Sequence, residues 1–113
     1  MTDLNRRQEM KNTPHCIGSD TLPGFSKLIE EMGEAHQVIG KIMGAHGFTS
    51  WDGLNLKLLL EEELADVMAA MDFVIQHNKL NRGKMVNRAE KKFKKFSRWH
   101  NNIQAGRHPR DDG

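Results

Sequence analysis

Between residues 25 and 103, apolar side chains recur at three- and four-residue steps with only two interruptions. That rhythm fits one face of a helix and does not fit the alternation of a half-buried strand. The first run carries Leu28, Met32, Ala35, Ile39 and Ile42 or Met43, which predicts a helix from 25 to about 43. A connection of about ten residues follows, punctuated by Gly44, Gly47, Ser50, Asp52 and Gly53 and holding Phe48 and Trp51; a loop of that length is often functional. The second helix is expected from near 54 to about 78 through Leu56, Leu60, Leu64, Val67, Met71, Val74 and Ile75, with Asn81 and Gly83 marking its break. The third is expected over about 84 to 102, on a stripe of Met85, Ala89, Phe93, Phe96, Trp99 or His100 and Ile103. The fold class is therefore all-α. Residues 1–24, with Pro14, Gly18, Pro23 and Gly24, read as an irregular arm with a short helical turn near 4–10, and residues 104–113 read as a flexible tail.

A chain of 113 residues is one domain by length, and three helices without a sheet leave apolar stripes to cover. Pairing with a second copy completes such a core, so at least a dimer is expected. The single cysteine, Cys16, excludes an intrachain disulfide and a cysteine-based zinc site. No stretch has the length and apolarity of a membrane span, and the first ten residues lack an apolar signal core, so a soluble cytoplasmic protein is expected.

The net charge of +2 is too small to mark a nucleic-acid binder, but its distribution is uneven. Residues 30–34 and 61–66 carry seven carboxylates, whereas residues 82–98 carry eight Lys or Arg against one Glu. On a helix, residues three and four apart are neighbours, so Glu31 projects with Glu34, and Glu63 with Asp66. Leu60, Leu64 and Val67 take the face adjoining the second pair. If the two helices lie antiparallel, the four carboxylates converge at their interface, where mutual repulsion calls for a cation. A hard divalent ion suits an all-oxygen donor set, and magnesium keeps coordination positions for water and phosphate, with manganese able to substitute. A bland alternative exists for each cluster taken singly, because Glu is a good helix former and solvated acidic faces are common.

The pattern Glu30-Glu31-x-x-Glu34, then twenty-eight residues, then Glu63-x-x-Asp66 resembles the MazG-like branch of the all-α nucleoside triphosphate pyrophosphohydrolases. It is set in Lys-Leu-Ile-Glu-Glu-Met-Gly-Glu and Glu-Glu-Leu-Ala-Asp-Val, and the likeness covers about residues 25–99. The resemblance implies a MazG-like helical domain over 25–103, assembled as a homodimer or homotetramer, that cleaves a nucleoside triphosphate between its α- and β-phosphates. By the same likeness Glu31, Glu34, Glu63 and Asp66 are metal ligands and Glu30 is a further ligand or a group beside them. A carboxylate not fully engaged by metal, Glu30 or Glu31, is the candidate to accept the proton of the attacking water.

The basic third helix offers Asn87, Lys91 and Lys95 in one row at four-residue spacing. The resemblance assigns Asn87 and Lys91 to the phosphate tail, with Lys84, Lys95 and Arg98 as further candidates. Trp51 is a candidate platform for a nucleobase, since an aromatic ring stacks on any base. Phe93, Phe96 and Trp99 stand at core spacing and read as packing residues, as do Met32, Met68 and Met71. Neither His36 nor His77 forms the Glu-x-x-His pair of di-iron bundles. From a different class, the alternative is a helical interaction or nucleic-acid-binding protein whose acids only solubilise it; four acids on the neighbouring helices disfavour nucleic acid.

Overall fold

A computed structural model describes residues 21–111. Among them are three helices, α1 (Phe25–Ala45), α2 (Leu56–His77) and α3 (Arg82–Gln104), and no strand. The expected all-α class is what the structure shows; α1 runs two residues past its expected end, α2 starts two residues later and ends one earlier than expected, and α3 extends two residues further at each end. The short turn expected near 4–10 lies outside the described residues. The chain divides into two compact units between Leu80 and Asn81.

In the first unit α1 and α2 pack against each other. They run antiparallel: Gly24, just before α1, meets Phe73 and Val74 near the end of α2, and the Asn78 side chain beyond α2 donates to the Pro23 carbonyl at 2.9 Å. Gly24 is the residue that permits this closure. Its φ of +85° favours glycine, and a Cβ there would lie 2.6 Å from Phe73 Cδ1. The connection is closed by a single antiparallel bridge between Thr49 and Asn55, with Leu56 N–H donating to the Phe48 carbonyl at 2.8 Å. Asn55 then starts α2 as its N-cap, its side chain accepting from Leu58 N–H at 3.0 Å. This cap puts the first helical residue at 56 and not at 54.

The buried apolar residues of this unit are Ala35, Val38, Leu56, Ala70, Val74 and Ile75. On α1 the buried line runs through Glu31, Ala35 and Val38, displaced from the expected stripe, and Met32, Ile39 and Met43 are exposed. The reason is that α1 is apolar over more than one face, and α2 can cover only one. The same holds for α2, where Leu64, Met68 and Met71 are exposed; Met32, Met68 and Met71 are therefore surface residues of the single chain and not core filler.

In the second unit Asn81 caps α3, accepting from Lys84 N–H at 2.9 Å, so Gly83 falls inside the first turn where it had been expected to break the chain. With no second helix in its unit, α3 leaves its aromatic stripe open: Phe93 is 72% exposed and Phe96 is also exposed, contrary to the packing role expected of them. Trp99 is half-buried against Phe96 and beneath the Arg110 guanidinium. Asn102 is buried and donates to the carbonyls of Pro109 and Asp111 at 3.0 and 2.7 Å, which turns residues 105–111 back along the helix.

Candidate metal centre

Antiparallel packing brings the two acidic segments to the same height. Oxygens of Glu31, Glu63 and Asp66 all lie within 4.8 Å of one another, a spacing at which one cation can meet all three. Glu31 reaches the cluster because it occupies the buried line of α1, and Glu63 and Asp66 reach it because a three-residue step keeps both on the α1-facing side of α2. Glu31 is only 9% exposed, and one oxygen each of Glu31 and Glu63 is buried without a hydrogen-bond partner. A buried acceptor with no donor is costly, and a bound cation is one way to satisfy it.

Electrostatics show the same strain. Burial raises the pKa of Glu31 from its ordinary value, reinforced by Glu34 and Asp66 and opposed by Lys27. Burial also raises that of Glu63, reinforced by the charge of Glu34 and by a side-chain hydrogen bond with it. Glu34 therefore joins the cluster through Glu63, standing outside the trio whose oxygens converge. Glu30 turns to the edge. Its exposed carboxylate receives the Lys27 ammonium at 3.4 Å, and the same ammonium stands 3.6 Å from Glu31.

The donor set fits a hard divalent ion: three carboxylates from two rigid helices, two orphaned oxygens and no sulfur or imidazole. Glu31 and Asp66 line a cleft of about 330 Å³ together with Gly24, Lys27, Ala69, Ala70 and Phe73. Lys27 and Phe73 were not singled out from sequence, although the spacing held the signal: Lys27 is one turn before Glu31, and Phe73 is seven residues after Asp66, two turns along the same face.

The remaining candidates are not members of this trio. Trp51 is 98% exposed on the connection and borders a different cleft with Lys41, Ala45 and Leu54. Lys84, Asn87, Lys91 and Lys95 are exposed on α3, in the second unit, and Lys95 lies 5.8 Å from the centre of the Trp99 ring. No described helix is long and apolar enough to cross a membrane. In comparisons with known proteins, the chain matches no family model, no curated protein and no solved structure.

Proposed function

We propose that the protein is a magnesium-dependent nucleoside triphosphate pyrophosphohydrolase that cleaves the α–β phosphate bond of a ribo- or deoxynucleoside triphosphate to give a monophosphate and pyrophosphate. The observation that carries this reading is the convergence of Glu31, Glu63 and Asp66 within 4.8 Å, with buried oxygens left unpartnered. A divalent ion held there supplies charge neutralisation for the phosphates and a water of lowered pKa.

The chain's own residues define what surrounds that chemistry. Glu31, Glu63 and Asp66 would hold the ion, and Glu34 keeps Glu63 in place through their mutual contact. Lys27 offsets the charge of Glu30 and Glu31 at the mouth. Asn87 and Lys91, with Lys84 and Lys95, remain the candidates for the phosphate tail on the strength of the family resemblance. The exposed apolar positions Ile29, Met32, Leu64 and Met68 support assembly with a second copy, because a monomer seldom leaves such a surface open.

Pyrophosphate release from a panel of ribo- and deoxynucleoside triphosphates, with magnesium or manganese and with Glu34→Gln and Asp66→Asn as controls, tests the proposal. Metal-dependent release that both folded variants lose by about a hundredfold or more is the expected result. Release that is absent from the wild type, or equal in the variants, would return the chain to the class of helical interaction proteins.

A further inference from the structure

The cleft that opens from the acids has two chemically different ends. At one end stand Glu31, Asp66 and the Lys27 ammonium; the apolar wall is the exposed methyl of Ala69, the buried methyl of Ala70 and the ring of Phe73. That wall offers a flat apolar ring and two methyls, with no side-chain hydrogen-bonding group. Two backbone carbonyls beside it are already engaged: that of Pro23 accepts from Asn78 at 2.9 Å, and that of Gly24 accepts from Leu28 N–H at 2.9 Å. Phe73 itself is held in place. Gly24 leaves its ring edge room that a Cβ would remove, and His77 stacks on the ring with centroids 4.1 Å apart.

Resting on the pyrophosphohydrolase reading above, the geometry points to this apolar wall as the seat of the nucleoside, with the base against Phe73, and therefore to an enzyme that discriminates little among the bases. A site that reads a base by hydrogen bonds rejects the wrong one by about 10⁴-fold or more, because its own polar groups are left unpaired, whereas an apolar wall distinguishes shapes by only about 10–200-fold. Stacking on an aromatic ring is open to every base. Lys27, at the mouth between the wall and the carboxylates, is placed to donate to a phosphate oxygen, since a cation arriving at Glu31 takes over the charge that Lys27 now offsets.

The test is calorimetric binding of non-hydrolysable α,β-imido nucleoside triphosphates carrying each of the common bases, in magnesium, alongside a manganese titration without nucleotide. Two variants serve: Phe73→Leu removes the ring, and Ala69→Leu fills the cleft from an exposed helical position without deleting a core contact. Dissociation constants for the bases within about 200-fold of one another are expected, with both variants weakening every nucleotide by about tenfold or more while manganese affinity is unchanged. One base preferred by more than about a thousandfold overturns the inference. So do variants that bind nucleotide as the wild type does; if pyrophosphate release persists in them, the function stands and only the seat of the nucleoside is wrong. A wild type that binds manganese and no nucleotide overturns both.

Discussion

A carboxyl group buried among other carboxyls holds its proton more tightly, and in Glu31 and Glu63 that effect becomes a stability argument. Their pKa values are raised in the fold, so the folded chain binds more protons than the unfolded one across the window between the ordinary carboxylate range and the raised values. The sign follows: without metal, the contribution of these groups to stability is greatest at low pH and is lost as pH rises through that window. Thermal melts of the metal-free protein should show the cluster's contribution to Tm falling as pH rises through and beyond the ordinary carboxylate range, and added magnesium should remove most of that fall. Glu63→Gln should raise Tm without metal, because one source of repulsion is gone, and should abolish the rise that magnesium gives the wild type, about 2.7 kcal/mol at a hundred times its Kd. A magnesium response unchanged in Glu63→Gln would contradict the assignment. Gly24→Ala is the opposite case, a loss in every condition: a left-handed φ and a 2.6 Å approach to Phe73 should destabilise the chain by about 2 kcal/mol by urea unfolding. At this scale the sequence spoke clearly about acids at three-residue spacing. It did not speak about Gly24, whose need for a positive φ comes from a ring 49 positions later in the chain.

The helices themselves were legible because apolar periodicity and Gly and Asn punctuation act locally. Their ends were less so, since Asn55 and Asn81 each extend or delay a helix by accepting one backbone N–H, and a cap looks like any other loop asparagine until the chain turns. Substituting Asn55 by Ala should cost about 1 kcal/mol in urea unfolding; no change would show that the Thr49–Asn55 bridge alone positions the start of α2. Which face of α1 is buried was also illegible, because Ala35 and Val38 compete with Met32, Ile39 and Met43, and only Ala35 and Val38 are buried. The same competition leaves Glu31, a charged residue, on the buried line, which is what makes it a ligand candidate and not a surface acid. On α3, Asn102 fastens the returning segment by two hydrogen bonds that no periodicity announces.

At the scale of the molecule, the exposed apolar stripes of α1 and α2 carry the expectation of a second copy. Met68, 62% exposed on α2, is a suitable probe, and Met68→Glu should shift the protein to a smaller species in light scattering coupled to size exclusion. A variant that keeps the wild-type mass would place the interface elsewhere. Acid and base are segregated along the chain, with the carboxylates on α1 and α2 and the Lys-rich row on α3.

Phosphorus NMR of the products formed from a nucleoside triphosphate in magnesium tests the central claim most directly, because it identifies the bond that breaks. The account predicts nucleoside monophosphate and pyrophosphate in equal amounts, with no product when Asp66 is replaced by Asn in a folded protein. Nucleoside diphosphate and orthophosphate, or an intact triphosphate with the wild type, would contradict it.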